Sequence, residues 1–220
     1  MAATHGRKPT TDDSIFEPHI LRGNLTDQVQ AFSDWAAAPK FRILDTIKHD
    51  HREITSFYEL LLKATEPDDA TKCQNQFVWE LARHAVAEEL VVYPAMEKYL
   101  DGGKEMADRD RAEHQTVKER LKLFQDLKST DPRFLPTLTS LMADLKEHMM
   151  SEEAEDIPRL DSALSEEESV GLSQSLNRTK IFVPSRSHPS APSAPPFETA
   201  VGLLTAPLDH IADVFRKWPS

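Results

Sequence analysis

The chain has 220 residues, a formal net charge of −11, 39% hydrophobic residues and a single cysteine. Length and apolar share support one ordinary domain with its own core, plus an appendage. The acidic balance sets nucleic acid and anionic membrane aside as main partners, and the lone Cys73 excludes an internal disulfide, which suits a reducing compartment. No apolar run reaches the length of a membrane span, and residues 1–14 lack the apolar core of a secretory signal, so a cytoplasmic protein is expected.

Residues 1–38 form a weakly patterned N-terminal extension, with a short helix expected over residues 26–37 and Phe32 and Trp35 as its anchors. From Phe41 the pattern is helical. Leu44, Ile47, His51, Ile54, Tyr58 and Leu61 recur at three- and four-residue steps, a stripe that faces a core. Residues 65–69, with Pro67, close this helix and read as a loop.

A second helix is expected from about Ala70 to Leu100, with Phe77, Leu81, His84, Glu88, Val91 and Ala95 inward and a kink or break at Pro94. Asp101-Gly102-Gly103 ends it. A third helix, about residues 104–128, turns His114, Val117, Leu121 and Phe124 inward. Asp131 as N-cap with Pro132 at the first helical position opens a fourth, whose stripe is Leu138, Leu141, Leu145, His148 and Glu152, ending near Pro158. No strand pattern competes, so the fold class is all-α: an up-down four-helix bundle over residues 39–162.

Residues 163–220 form a C-terminal extension. Ser165 with Glu168 reads as a capping box opening a short helix to about Leu176, and residues 184–196 are proline-rich. Leu204, Leu208, Ile211, Phe215 and Trp218 make an amphipathic stripe on a terminal helix that docks on the bundle, grips a protein partner or touches a membrane surface, docking being the plainest reading.

The chemistry lies in an internal repeat. His84-Ala-Val-Ala-Glu88-Glu89, followed by Pro94, is echoed by His148-Met-Met-Ser-Glu152-Glu153, followed by Pro158. Positions four apart share a helical face, so each copy offers a nitrogen and an oxygen to one point. Asp50-His51-Arg-Glu-Ile54 is likewise echoed by Glu113-His114-Gln-Thr-Val117. The offset is 63 residues from His51 to His114 and 64 from His84 to His148. Two matching helical hairpins would pair into a bundle with a pseudo-twofold site.

Taken singly, an inward histidine is more often a hydrogen-bonded core residue than a ligand. Burying His51, His84, Glu88, His114, His148 and Glu152 together is costly without a cation to balance them. Imidazole with carboxylate suits iron or manganese, whereas structural zinc favours cysteine. Six ligands for two ions leave positions for water, hydroxide or dioxygen. Ferritin-like bundles use Glu-x-x-His instead, with the glutamate first.

On these residues, over about residues 41–160, the chain resembles the hemerythrin-like, or HHE cation-binding, family, and its proline-rich tail looks like those of fungal members. The resemblance implies two iron ions in a non-haem centre: His51 with His84 on one, His114 with His148 on the other, and Glu88 and Glu152 as bridges. It also implies dioxygen or a small oxidant as partner. Two departures stand out. Oxygen carriers of the family have a second histidine four residues after the third-helix one, where this chain has Lys118. They place an aspartate five residues after the last histidine, where this chain has Glu152 at four and Glu153 at five. Glu89 and Glu153 are expected in solvent or behind the ligands, with Lys118 free to pair with a glutamate there. Three functions follow from the resemblance: an iron- and oxygen-binding protein that buffers, stores or senses; a di-iron oxidase or oxygenase; and an iron-responsive interaction module acting through residues 184–220.

Overall fold

A computed structural model describes residues 41–191 and 197–219, which are helical with no strand among them. The helix expected over residues 26–37 lies outside this range. The helices are α1 (Ile43–Lys63), α2 (Pro67–Ala87), α3 (Tyr93–Tyr99), α4 (Gly103–Gln125), α5 (Phe134–Ser151), α6 (Ile157–Ala163), α7 (Glu166–Phe182) and α8 (Phe197–Asp213). Helix α1 packs on α2, α4 on α5, α2 on α4 and α1 on α5, which closes a four-helix bundle. Its core has two parts. One is built from Ile54, Phe77, Leu81, Leu121, Phe124, Leu138 and Leu141, the other from Ile43, Ile47, Val92, Tyr93, Met96, Ile157 and Leu160.

Five-residue π-helical turns, Glu88–Val92 and Glu152–Asp156, separate α2 from α3 and α5 from α6. In each case a proline, Pro94 or Pro158, sits in the first turn of the helix that follows. A proline in continuous α-helix would lack an N–H and clash with the carbonyl four residues back; the wider turn just before it accommodates the ring. The expected kink is therefore a local widening, and it occurs in both halves. It begins in each at the first glutamate of the pair.

Four boundaries differ from those the sequence suggested, the first being that helix continues past Pro158 to Ala163. Pro67 is at the start of α2 rather than in a loop, because proline costs nothing at a first helical position and Asp68 and Asp69 sit well in an acidic first turn. Asp131 does not cap α5: its Oδ1 accepts from the Arg133 backbone N–H at 2.8 Å, forming a turn, and the helix starts at Phe134. Helix α7 has the capping box at Ser165 and Glu168 but runs to Phe182. Between α3 and α4, Gly102 adopts φ 72°, and a Cβ on Gly103 would fall 1.9 Å from the Met96 carbonyl oxygen, so this tight corner needs both glycines.

The extension beyond the bundle is not a loose tail. Helix α7 lies along α1 and α2, tied by Thr46 to Ser173 at 2.6 Å and by Ser169 to the Ile43 N–H at 2.9 Å. Residues 183–187 are buried as a strap. The Ser187 hydroxyl donates to the Lys118 carbonyl at 2.6 Å, and the Ser187 N–H donates to Gln125 at 2.9 Å. The terminal helix contradicts the expected apolar docking face. Leu208, Ile211 and Phe215 are 69, 62 and 85% exposed, whereas Ala206, Asp209 and Asp213 face inward. The reason is polar: Asp209 takes His188 and Asp213 takes Ser185, and among the described side chains of the stripe it is Trp218 that docks as foreseen, edge-on against Trp79.

Candidate metal centre

All six inward residues converge. Atoms of His51, His84, Glu88 and Glu152 lie within 4.8 Å of one another, and so do atoms of Glu88, His114, His148 and Glu152. The two groups share both glutamates. Every one of the six is buried, with Glu88 and Glu152 at 0% exposure. The placement follows from the helices: α1 and α2 bring one histidine pair to 4.9 Å between ring centroids, α4 and α5 the other to 4.6 Å. The two π-turns start at Glu88 and Glu152, where the altered pitch sets the carboxylates between the pairs.

Each ring is held from behind at Nδ1 by a carboxylate. His51 meets Glu153 at 2.8 Å, His84 meets Asp50 at 3.2 Å, His114 meets Glu89 at 3.2 Å, and His148 meets Glu113 at 2.8 Å. The pattern obeys the pseudo-twofold. The acid before one histidine supports the histidine of the neighbouring helix, and the second glutamate of each pair supports the histidine of the opposite hairpin. With the proton on Nδ1, every Nε2 presents a lone pair inward. Nε2 of His51 and His148 stand 3.5 and 3.3 Å from Glu152, and those of His84 and His114 stand 3.2 and 3.5 Å from Glu88.

That interior lacks positive charge. His51 Nε2, His84 Nε2, both Glu88 oxygens and Glu152 Oε2 are buried without a hydrogen-bond partner. The Nε2 atoms of His114 and His148 face each other at 2.9 Å, a contact that only a second proton on one of the rings turns into a hydrogen bond. Buried polar groups left unpaired cost roughly 1–3 kcal/mol each, more when charged. The protein compensates with protons. Burial and the neighbouring Glu152 push Glu88 far above the carboxylate range, while burial of Glu152 is outweighed by His148, His51 and His84, which hold it down to about 2. His51 is raised to about 9, its burial overcome by Glu152 and Glu153, whereas burial and the charge on His148 and Lys118 push His114 well down. The donor set, four imidazole nitrogens and two shared carboxylates in a buried pocket, fits a pair of divalent or trivalent cations.

Four contributors escaped sequence reasoning. Tyr93, fully buried, places its hydroxyl 3.0 Å from His114 Nε2 and donates toward Glu152 at 3.3 Å. Its counterpart in the other half is Ile157, so superposing the two halves would have exposed it. Asp50 and Glu113 were visible as acids beside histidines, but not as supports for the next helix. Lys180 of α7 bonds both Asp50 oxygens at 2.7 Å, so the extension reaches the support of His84; no local motif marks it. Lys118, standing where oxygen carriers have histidine, pairs with buried Glu89 at 2.5 Å. Cys73 packs at the edge of the core.

The two sides of the centre differ in cover. Beside Glu89 and Lys118 the strap leaves a cavity of about 40 Å³, bounded by Pro184, Ser187 and His188. Beside His51 and Glu153 lies a more open cleft of about 300 Å³, lined by Thr55, Glu59, Lys146 and Met149 among others.

The chain is similar to known proteins over the bundle. The hemerythrin HHE cation-binding domain family matches residues 42–160. An uncharacterized hemerythrin-like protein of Schizosaccharomyces pombe is 55% identical over 179 residues, covering 81% of this chain and 88% of that one. A protein of Nostoc named as a DNA nickase is 23% identical over 154 residues, which is 66% of this chain and 43% of the relative. No solved structure matches.

Proposed function

The chain belongs to the hemerythrin HHE cation-binding family, and on that premise we propose that it is a non-haem di-iron protein that takes up dioxygen or a small oxidant while buffering, storing or sensing iron. One observation carries the reading: buried atoms of His51, His84, Glu88 and Glu152 that face a common point are left without partners. His51 and His84 would hold one ion and His114 and His148 the other, with Glu88 and Glu152 available to both. Bound iron would supply reversible one-electron chemistry and open coordination positions.

The residues around the centre prepare it. Glu153, Asp50, Glu89 and Glu113 keep the rings in the tautomer that binds metal and make them more basic. Glu88 and His51 release protons as cations arrive, so uptake is coupled to pH. Tyr93 holds a proton at its hydroxyl beside Glu152 and His114, where an oxidant on that side would meet it. Lys118, neutralising Glu89, takes the place of a nitrogen ligand, which argues against reversible oxygen carriage.

A second reading, iron-responsive interaction, draws on the strap. It is bonded to the backbone of α4 at Lys118, one turn from His114, and it leads to the exposed apolar residues Leu208, Ile211 and Phe215. The activity named for the Nostoc relative is not carried over, since a net charge of −11 opposes DNA binding. The test is anaerobic loading with ferrous iron followed by oxygen. A stoichiometric visible absorption change without turnover supports binding or sensing. Continuous oxygen consumption with added reductant would assign an oxidase instead. No spectral response in iron-loaded protein would refute the oxygen reading.

A further inference from the structure

Superposing the two halves shows where they stop matching. Asp110 and Asp156 correspond, at offsets of 63 and 64 residues, to Ile47 and Val92. All four are buried, at 1, 1, 0 and 0% exposure. One half therefore keeps two buried acids where the other packs aliphatic side chains. A role in the bundle itself would not require them, because Ile47 and Val92 fill the same positions without charge.

These acids point at one place. The Arg109 Nη2 lies 3.1 Å from Asp110 Oδ1 and 2.8 Å from Asp156 Oδ2, so a single cationic nitrogen already sits between them. Asp110 Oδ2 remains buried with no hydrogen-bond partner. Atoms of Asp110, Glu113 and His148 lie within 4.8 Å of one another. Glu113 and Arg109 form the outer rim, their side chains 39 and 45% exposed. His148 joins this group to the centre, with Nδ1 2.8 Å from Glu113 and Nε2 3.3 Å from Glu152.

We propose that Asp110, Glu113 and Asp156, beside His148, form a third cation site that receives ferrous iron from solvent and passes it to the di-iron centre. Carboxylate oxygens at an open rim suit a hard, partly hydrated divalent cation rather than a closed structural ion. Arg109 swings outward as the cation takes its position between the two aspartates. The cation then exchanges the outer carboxylates for the inner ones alongside a single imidazole. The transit role rests on the di-iron reading; the cation site itself does not.

The experiment uses crystals of the full chain soaked in manganese(II) chloride, with anomalous maps for the wild type and Asp110→Asn, and stopped-flow ferrous loading of wild type and the Asp110→Asn, Asp156→Asn double variant. The expected result is an outer peak bounded by Asp110, Glu113 and Asp156, lost in Asp110→Asn while the inner peaks remain. Loading by the double variant should be about 10-fold slower, with unchanged final iron content. No outer peak in the wild type, or one that survives Asp110→Asn as an adventitious ion only, overturns the site. An outer peak with unchanged loading rate overturns the transit role. If the outer site fills and the inner clusters stay empty, the di-iron reading fails and the transit role with it, and the cation site stands. Asparagine keeps the shape and removes a buried charge, so thermal melts should show both variants folded.

Discussion

Each histidine of the centre is held from behind at Nδ1 by a carboxylate, and its Nε2 faces a shared glutamate. Removing a rear carboxylate should therefore weaken metal binding without unfolding the bundle. Glu153→Gln is expected to lower iron affinity by about 10-fold, read by competition with a chelator, while the apo chain stays folded with a lower melting temperature, because Glu153 is partly exposed but helps hold the His51 charge. Lys118→Met should act chiefly on apo stability. It leaves Glu89 buried beside His114 with no cation, so the apo protein should lose about 3 kcal/mol in urea unfolding. The six inward residues were legible because helical spacing and the repeat both mark them. Tyr93 was not, since a tyrosine between valine and proline carries no ligand signature of its own.

At the scale of elements, the two π-turns do what a straight helix would not: they set Glu88 and Glu152 between the histidine pairs. The prolines that follow explain why those turns persist. In Pro94→Ala with Pro158→Ala, the helices are free to close to regular α-pitch. Iron affinity should fall by about 10-fold or more, while apo stability changes by no more than about 1 kcal/mol. Unchanged affinity would show that the turns do not depend on proline. The prolines were evident in the sequence as interruptions, but a kink and a widened turn look alike there. Helix α8 shows a different limit. Its apolar stripe is real, yet Asp209 and Asp213 fix its orientation through His188 and Ser185, and polar partners distant in sequence leave no periodic trace.

For the whole molecule, the charge imbalance of the centre should appear as pH-dependent stability of the metal-free form. His51 has its pKa raised to about 9, so its contribution is fully present below about 6.5 and is lost as pH rises through 9. Glu88 is raised as well, so the folded state holds a proton there that the unfolded chain has released, and stability again falls with rising pH. Glu152 is held at about 2, and its contribution is lost only as pH drops from about 4.5 toward 2. Through His51 alone, urea unfolding of apo protein should weaken by about 1 kcal/mol per pH unit between pH 6.5 and 9, Glu88 should steepen that slope, and iron should abolish most of it by displacing the protons. The bundle was readable because its four stripes are long and regular. The docking of α7 and the strap was not, because it depends on single hydrogen bonds such as Ser187 to Lys118 and Lys180 to Asp50.

The most direct measurement is the iron content of protein purified after iron supplementation, beside a His84→Ala, His148→Ala double variant. The two substitutions together remove one nitrogen from each of the two clusters. The expected result is close to two iron ions per folded wild-type chain and a loss of both in the variant. A folded wild-type chain that binds no iron under these conditions would contradict the di-iron centre outright.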